Sequence, residues 1–336
     1  MRIYAVSVVM PVYNAGNHLA RAVESILAQR GVNLELVCID DGSTDGSGDR
    51  LETWARRDRR LVVIRAEHRG IVAALNQGLA TARHPFLARM DADDVSHPDR
   101  LRLQAELLDS DPRLDVVGCL VRSFPRPAVA KGFRLYEEWL NSLVRPEEIA
   151  REIYVESPIA HPSALMRASE ARRLGGYREV DWAEDYDLWL RYHQAGYRLA
   201  KVPRILFAWR MHAGRLSFVD PRCTPERFFR CKAHFLARET RVQRGPLLIW
   251  GAGVAGRRLS RRLIELGVAV DAFVDIDPRK IGRTRYGRPI GGPETLARYP
   301  DRFILVAVGT RGARPLIREQ LTALGRIEGR DYLFCA

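Results

Sequence analysis

The sequence has no long hydrophobic run and no dense cysteine pattern. No window of its 336 residues approaches the roughly 18–20 consecutive apolar residues that a membrane-spanning helix needs. The first apolar run, VSVVMPVY, is short, β-branched and interrupted by Pro11, which predicts a strand rather than a targeting segment. The five cysteines, at positions 38, 119, 223, 231 and 335, include no CxxC pair. Their spacing speaks against a disulfide scaffold or a zinc site and favours a reducing cytoplasm.

Acidic residues are scarce towards the end of the chain. Residues 241–336 contain 18 Lys and Arg against 9 Asp and Glu, so this region carries +9 of the formal net charge of +13. One interpretation is attraction to phosphates or to an anionic membrane face. Because nearly all of these cations are arginine, we favour a base-composition bias in the genome for most of them. The arginines are scattered and match no nucleic-acid-binding module, so we expect no nucleic-acid partner.

Short apolar runs alternate with amphipathic stretches in the first hundred residues. The runs YAVSVVMPVY, LELVCID, LVVIR and PFLARMDA read as strands, and NHLARAVESILAQ and IVAALNQGLATAR read as helices between them. A short helix is also expected around Leu51–Arg57. This alternation predicts an α/β fold with a largely parallel sheet and right-handed crossovers. In such sheets ligands bind beyond the carboxyl ends of the strands, where the acidic turns IDDGSTD and MDADD fall.

The acidic turn MDADD follows a buried strand, where unbalanced carboxylates would be costly. Oxygen ligands of this kind suit Mg²⁺ or Mn²⁺, with substrate phosphates completing the coordination shell. The spacing of Asp91 and Asp93 lets both face one pocket, and we interpret them as metal ligands. The alternative is an acidic cap on the helix after Pro98, and we assign only that role to Asp94 and Ser96.

Several separate motifs resemble those of one enzyme family. The stretches VSVVMPVYNAGNHLARAVESILAQ, LELVCIDDGSTDGS and NQGLATARHPFLARMDADDVSHPDRL look like the nucleotide-sugar-binding half of family 2 glycosyltransferases of GT-A fold. ESPIAHPSALMR, LGGYRE, AEDYDLWLR and RMHAGRLS resemble the acceptor half, in the family's order, so the match spans roughly residues 5–218. The resemblance implies an inverting, metal-dependent hexosyltransferase. Such an enzyme would transfer sugar from a nucleotide-diphosphate donor to a hydroxyl acceptor in cell-surface or secreted glycan synthesis.

The resemblance also implies roles for individual residues. Those matching the family's donor nucleotide site, where UDP is favoured through Asp41, are Pro11, Tyr13, Asp40, Asp41, Asn76 and Asp91. Asp93, Asp91 and His212 match its metal site, although His212 could equally be structural, and Asp185 matches the catalytic base. The candidate acceptor-pocket residues are His161, Glu184 and Trp182. Without the resemblance, Asp185 would read as an acid at a helix N-terminus.

The chain departs from the family at one position. Family members often have ARN where this chain has ALN, at Ala74–Asn76. Any phosphate contact from that arginine is therefore absent here or supplied by another cation, for which Arg69 and Arg89 are the candidates.

Residues 122–157 interrupt the strand–helix alternation and predict a proline-bearing loop followed by helices around LYEEWLNSLV and PEEIAREIY. Their position between donor and acceptor motifs suggests an insert on the side of a glycan or lipid-linked acceptor. Further along, PERFFRCKAHFLARETR predicts a basic helix. It could lie on the inner face of a membrane as a peripheral attachment, but we favour packing between the domains.

A second α/β pattern begins near residue 246. A strand runs into Gly251, Gly253 and Gly256, a helix follows, and the next strand ends at Asp275, which is the context a dinucleotide fingerprint requires. The stretch is similar to the small Rossmann-like sugar-nucleotide-binding domain that precedes the β-helix in some sugar acyltransferases. These four residues form a candidate second nucleotide site. We expect a GT-A domain over 1–218 (donor half 1–100, acceptor half 101–218), a helical linker over 219–245 and a Rossmann-like accessory domain over 246–336.

Three other functions have to be weighed against the sequence. A bifunctional enzyme would bind NAD(P) or a sugar nucleotide at the C-terminal glycines, but no Tyr-Lys or Cys signature for redox chemistry follows them. A nucleotidyltransferase should carry a glycine-rich loop with Arg or Lys just after the first strand, and MPVYNAGNHLA has none. A non-catalytic binding module should lack the base, whereas Asp185 is present. The glycosyltransferase interpretation is therefore favoured.

Overall fold

The structure, a computed structural model, describes residues 2–336, which group into two compact units. The first unit runs up to Ala150 and also contains Pro158–Val180 and Asp187–Val219. The second unit contains Asp220–Ala336 together with two strips from the middle of the chain, Arg151–Ser157 and Asp181–Tyr186. These two strips, called strip 151–157 and strip 181–186 below, therefore belong with the C-terminal residues and not with their sequence neighbours.

Within the described residues, the first unit is built on a sheet of eight strands in the order β3-β2-β1-β4-β7-β6-β8-β5. The strands are β1 (Tyr4–Val12), β2 (Val32–Asp41), β3 (Leu61–Ala66), β4 (Phe86–Arg89), β5 (Val95–Ser96), β6 (Leu114–Phe124), β7 (Leu165–Arg167) and β8 (Arg198–Arg210). Strands β3, β2, β1 and β4 are parallel to one another, and β6 is parallel to β8. Strand β7 is antiparallel to both β4 and β6, and β5 is antiparallel to β8.

The central strand β1 shows why the sheet forms. Val6, Val8 and Met10 are fully buried, as expected for a parallel strand covered on both faces. Helix α1 (Leu19–Leu27) buries Leu19, Ala22, Val23 and Ile26, which confirms the predicted amphipathic spacing. The other helices assigned wholly or mainly to this unit are α2 (Ser47–Ala55), α3 (Ile71–Thr81), α4 (Arg100–Ser110), α5 (Lys131–Ser142), α6 (Pro146–Glu152), α7 (Ala168–Arg173), α8 (Glu184–Gln194) and α9 (Leu216–Val219).

The second unit has its own sheet, which in the described residues contains six strands in the order β11-β12-β10-β9-β13-β14. These are β9 (Leu247–Trp250), β10 (Val270–Val274), β11 (Thr284–Arg285), β12 (Arg288–Gly291), β13 (Ile304–Val306) and β14 (Tyr332–Phe334). All neighbours are parallel except β11 and β12. The helices of this unit are α10 (Pro225–Leu236), α11 (Thr240–Gln243), α12 (Val254–Glu265) and α13 (Ala313–Ala323). The predicted α/β class, with a smaller second sheet, is confirmed.

Two local predictions can be compared with the structure directly. Helix α2 was expected around Leu51–Arg57 but begins earlier, at Ser47, whose amide donates a hydrogen bond to the Asp45 carboxylate at 2.9 Å. Helix α10 confirms the predicted basic helix and buries five residues, Cys231, Lys232, Ala233, Phe235 and Leu236, so packing describes it better than a membrane surface does. No helix in residues 2–336 has the length and hydrophobicity that crossing a bilayer requires.

Candidate functional site

Three acidic or aromatic turns leave the first unit's sheet at one edge. Strand β1 pairs in parallel with β2 on one side, with Val12 opposite Asp40, and with β4 on the other, with Val9 opposite Arg89. The residues that follow these pairs are Tyr13, Asp41 and the turn that begins at Met90. Because parallel strands end at the same edge, the topology brings these turns together where α/β sheets bind ligands.

Asp40 and Asp41 are buried and already hold protein groups. The Asp41 carboxylate, only 4% exposed, accepts hydrogen bonds from the backbone amides of Arg69 (2.8 Å) and Gly70 (2.9 Å). Asp40 accepts from the Ser43 amide at 3.1 Å and forms an ion pair with Arg65 at 2.8 Å. Both residues therefore shape the turns at this edge.

An exposed aromatic pair lies at the same edge. The Tyr13 ring stacks on the His68 ring with centroids 4.1 Å apart and planes 23° apart. Tyr13 is 51% exposed, whereas Pro11 is partly buried within β1. His68 also places Nδ1 2.9 Å from an Asp41 carboxylate oxygen. The sequence analysis did not select His68. The amides of the next two residues, Arg69 and Gly70, bind Asp41, and these hydrogen bonds fix the position of His68 and of the ring that stacks on it. A flat, solvent-facing surface of this kind can stack on a nucleobase.

Three carboxylates converge after β4. One oxygen each of Asp91, Asp93 and Asp94 lies within 4.8 Å of the others. Asp94 is almost fully buried, and its Oδ1 accepts a hydrogen bond from the Arg210 amide at 2.6 Å. Its Oδ2 is buried without a hydrogen-bond partner among the described residues. Burial, together with the charges of Asp93 and Asp91, raises the pKa of Asp94 well above its ordinary value.

The assignment of Asp94 and Ser96 to a helix cap is wrong. Asp99, not Asp94, precedes α4, and Asp94 turns instead towards the end of β8. Ser96 lies in β5 and its hydroxyl accepts a hydrogen bond from the Gln29 side chain at 3.1 Å. The sequence suggested a helix cap because Asp and Ser are common at helix N-termini. The hydrogen-bond partner of Asp94 lies 116 residues away, so no local pattern could indicate it.

Basic groups surround the carboxylate cluster. His212 Nε2 lies 2.7 Å from Asp93 Oδ2, and the Arg210 side chain donates to the Asp93 carbonyl at 2.5 Å. Arg89, itself buried, donates to Asp91 Oδ1 at 2.6 Å. The structure thus brings the predicted metal set of Asp91, Asp93 and His212 together. Hard carboxylate oxygens, an imidazole and the unpartnered oxygen of Asp94 form a donor set that fits Mg²⁺ or Mn²⁺.

Asn76 and His161 meet at a different residue, Tyr177 of the LGGYRE motif. Asn76 donates from Nδ2 to the Tyr177 carbonyl and accepts from the Tyr177 amide, both at 2.8 Å. His161 Nε2 lies 2.8 Å from the Tyr177 hydroxyl. Burial and the charge of Arg89 lower the pKa of His161 well below its ordinary value, so the imidazole is neutral. The structure gives both residues a part in holding Tyr177.

Asp185 lies in strip 181–186, in the second unit, where it is partly buried at the start of α8. Its Oδ1 accepts a hydrogen bond from the Tyr186 amide at 2.7 Å. Burial and the negative charges of Glu184 and Glu156 raise the pKa of Asp185 to about 7. A carboxylate with this pKa is suited to exchange a proton at neutral pH.

The other acceptor-pocket candidates in this strip are also buried. Glu184 has an Arg222 nitrogen 3.8 Å from its carboxylate. The Trp182 ring centroid lies 5.1 Å from that of His234. Both side chains are about 8% exposed, so neither offers a wide surface in this conformation.

The C-terminal fingerprint residues come together around the first turn of α12. A Cβ atom on Gly256 would lie 1.7 Å from the Gly251 carbonyl, and Gly251 has a φ of +114°, so the turn requires glycine at both positions. Gly253 directly precedes α12. Asp275 accepts hydrogen bonds from the Ala252 amide (2.8 Å) and from Lys280 Nζ (3.0 Å). The acid that would bind a ribose is therefore already paired with a lysine.

A cleft of about 690 Å³ opens elsewhere in the second unit. Its lining includes Pro246, Phe303 and Asp331, which directly precede β9, β13 and β14. It therefore lies at the amino ends of these strands, whereas the glycine turn lies at their carboxyl ends. None of the predicted site residues lines it.

Comparison with known proteins identifies the family. The model of the family described as Glycosyl transferase family 2 matches residues 7–174, half of the chain. The chain is 36% identical over 207 residues to EpsE of Bacillus subtilis strain 168, which is provisionally named a glycosyltransferase. That match covers 60% of this chain and 71% of the relative.

Solved structures support the same fold. Staphylococcus aureus TarS 1–349 in complex with UDP-GlcNAc has a TM-score of 0.55 at 18% identity, covering 78% of this chain and 72% of TarS. The mannosyltransferase PcManGT of Pyrobaculum calidifontis, in complex with GDP-Man and Mn²⁺, has a TM-score of 0.53 at 19% identity, covering 95% of this chain and 80% of PcManGT. The predicted GT-A fold class is confirmed, and the chain belongs to glycosyltransferase family 2.

Proposed function

We propose that this glycosyltransferase is inverting and metal-dependent, and that it uses a nucleotide-diphosphate sugar, with UDP-sugars favoured. The observation that carries the proposal is the carboxylate cluster Asp91, Asp93 and Asp94 at the carboxyl edge of the first unit's sheet. Its donor set fits a divalent cation, and the sheet edge also carries the Tyr13–His68 pair.

Asp93, Asp91 and His212 would hold Mg²⁺ or Mn²⁺, and the unpartnered Asp94 oxygen adds a further carboxylate next to them. When bound, the ion supplies positive charge that neutralises the departing nucleoside diphosphate. The Mn²⁺ in the PcManGT complex supports this assignment. Arg89 and Arg210 hold the carboxylates in place from the protein side, through the Asp91 side chain and the Asp93 carbonyl.

The nucleoside would bind against the Tyr13–His68 pair, with Asp41 fixing the neighbouring turn. The 51% exposure of Tyr13 leaves the face of its ring away from His68 accessible for stacking. The UDP-GlcNAc complex of TarS supports a UDP-sugar, whereas the GDP-Man complex of PcManGT makes GDP the main competitor.

Asp185 would act as the catalytic base. The acceptor hydroxyl must lose its proton as its oxygen attacks the anomeric carbon, and a carboxylate with a pKa of about 7 can take that proton. The bond to the diphosphate breaks on the opposite face of the sugar, so a single displacement inverts the configuration. One base is sufficient, without the second catalytic carboxylate that glycosidases use.

Isothermal titration of UDP, GDP and dTDP, with and without Mn²⁺, tests the donor site in the wild type, Asp93→Ala and Asp185→Asn. We expect metal-dependent binding of one nucleotide that Asp93→Ala abolishes and Asp185→Asn leaves unchanged. Tight binding that needs no metal and survives Asp93→Ala would instead favour the nucleotide site at Gly251, Gly253 and Gly256, and would overturn the proposal.

A further inference from the structure

Four consecutive residues of strip 151–157 are each held by another part of the second unit. The Glu152 carboxylate binds Arg314 (2.6 Å) and Arg318 (3.2 Å), both on α13. The Ile153 carbonyl accepts from the Tyr186 hydroxyl at 2.7 Å. The next two residues, Tyr154 and Val155, bind Glu239 at 2.5 Å and Lys232 at 2.6 Å, respectively. The strip is therefore held at four successive positions.

Strip 181–186, which contains Asp185, is held by helix α10 in addition to the hydrogen bond between Tyr186 and Ile153. The Asp181 carboxylate forms ion pairs with Arg227 and Arg230. The Tyr186 ring stacks on Phe228 with centroids 5.3 Å apart and planes 23° apart, and Trp182 contacts His234. Asp185 thus has anchored residues on both sides in the sequence, Asp181 and Trp182 before it and Tyr186 after it.

Lys232 connects these parts. It is only 4% exposed, and its Nζ donates to the Val155 carbonyl at 2.6 Å and to the Cys335 carbonyl at 3.2 Å. Burying an ammonium group is costly, so a lysine at this position has to be balanced by specific partners. One partner belongs to strip 151–157 and the other directly follows β14. Lys232 Nζ therefore connects α10 with the strip and with the C-terminal sheet.

We infer that the second unit positions the catalytic base, with Lys232 as a positioning residue, so that residues 220–336 are required for catalysis and are not a separate accessory domain. The inference rests on the proposed role of Asp185. The match to the family model ends at residue 174, so Asp185 and the α10 residues that hold its strip lie beyond it. Displacing a reacting group by about 1 Å can cost 10²-fold in rate, so loosening these anchors should slow the reaction without altering the donor site.

The test compares Arg314→Met/Arg318→Met with Arg302→Met in the full chain. The Arg302–Asp271 ion pair is a matched control, because at 2.7 Å and 39% exposure of the arginine it resembles the Arg314 and Arg318 pairs but touches neither strip. Hydrogen exchange of residues 151–157 and 181–186, nucleotide binding, kcat and the acceptor KM are measured for each variant.

We expect the double variant to exchange faster in both strips and to lose about 10- to 100-fold in kcat, with nucleotide binding and the control unchanged. Faster exchange with an unchanged kcat would overturn the positioning role, and unchanged exchange would overturn the anchoring itself. Failure of the proposed base is distinguishable, because Asp185→Asn would then keep full activity whatever the exchange data show.

The positioning role of Lys232 is tested by comparing Lys232→Met with Lys232→Arg, which keeps the positive charge. Lys232→Met should lower kcat, and Lys232→Arg, which can still donate to the Val155 and Cys335 carbonyls, should recover part of the loss if the contacts matter. If both variants lose kcat equally while thermal unfolding shows both to be folded, Lys232 is not a positioning residue through these hydrogen bonds. If Lys232→Met does not fold, the Arg314→Met/Arg318→Met variant alone tests the inference.

Discussion

The two units each bring three carboxylates together, but in different surroundings. In the first, Asp91, Asp93 and Asp94 lie among Arg89, Arg210 and His212. In the second, Asp185 lies close to the charges of Glu184 and Glu156, and its pKa rises to about 7. The role proposed for each aspartate, metal ligand or base, therefore depends on the groups that surround it. In the first cluster Arg89 and Arg210 donate hydrogen bonds to Asp91 and Asp93, and burial raises the pKa of Asp94, whereas in the second cluster burial and two neighbouring carboxylates raise the pKa of the proposed base itself.

The largest effect is expected from Asp185→Asn. Because the amide cannot take the acceptor's proton, kcat should fall by about 10²- to 10⁴-fold while metal-dependent nucleotide binding is kept. Steady-state kinetics together with nucleotide titration measure this. Activity within a few-fold of the wild type would show that Asp185 is not the base.

Asp94→Asn examines the buried member of the first cluster. The amide oxygen can still accept from the Arg210 amide, so the fold should be kept, but the cluster loses a carboxylate next to the proposed metal ligands. We expect Mn²⁺ affinity to fall by about 10- to 100-fold, as for groups that support metal ligands. Asp99→Asn, which changes an acid before α4 outside the cluster, is the control. An equal loss in both variants would contradict a specific role for Asp94.

Glu156→Gln and Glu184→Gln test how the two neighbouring carboxylates influence the pKa of Asp185. The charges of both residues raise the pKa of Asp185, so removing either charge should lower it. Since the base must be ionised, the acidic limb of the kcat–pH profile should move to lower pH, and further for Glu184→Gln, the larger of the two influences. A shift to higher pH would show that these carboxylates do not act on Asp185 through their charge.

The smallest effect concerns stability, since each unit also buries a lysine. Lys201 on β8 is 2% exposed, donates to the Leu140 carbonyl, and has a pKa lowered by burial to about 7. The unfolded chain holds this proton up to the ordinary pKa of 10.5, so the free energy of unfolding should rise with pH between these two values.

Urea unfolding at several pH values compares the wild type with Lys201→Met. The variant should lose this pH-dependent rise and be the more stable protein at neutral pH and below. A rise of the same size in both proteins would show that Lys201 does not cause it. Burial also lowers the pKa of Lys232, although the charge of Glu156 acts in the opposite direction. Urea unfolding of Lys232→Met is therefore the matching measurement in the second unit.

Much of the first unit could be predicted because its signals are local. The apolar spacing of α1 and the acidic turns after β2 and β4 follow from residues close in sequence, and strand-end topology then brings Asp91 and Asp93 to one edge. Asp94 could not be predicted, since its partner Arg210 lies on β8. His68 was missed because an exposed histidine in a turn carries no pattern until Tyr13 is seen to stack on it.

The strips of the second unit left no sign in the sequence. Their anchors are ion pairs and single hydrogen bonds over long separations, such as 77 residues between Lys232 and Val155 and 166 between Arg318 and Glu152. Such contacts have no periodicity, and each arginine is one among many. The sequence therefore predicted two domains split near residue 218, with no indication that residues 151–157 and 181–186 group with the C-terminal part.

The grouping of strip 151–157 with later residues also has a consequence during synthesis. Ile153 and Tyr154 are fully buried in the folded protein, yet Arg314, which anchors neighbouring Glu152, is translated 162 residues after it. At about 5–20 residues per second, the ribosome needs roughly 10–30 s to add that stretch. Through this interval a strip whose central residues Ile153, Tyr154 and Val155 are buried in the folded protein lacks its final partners, so the nascent chain passes through a stage that a chaperone could recognise.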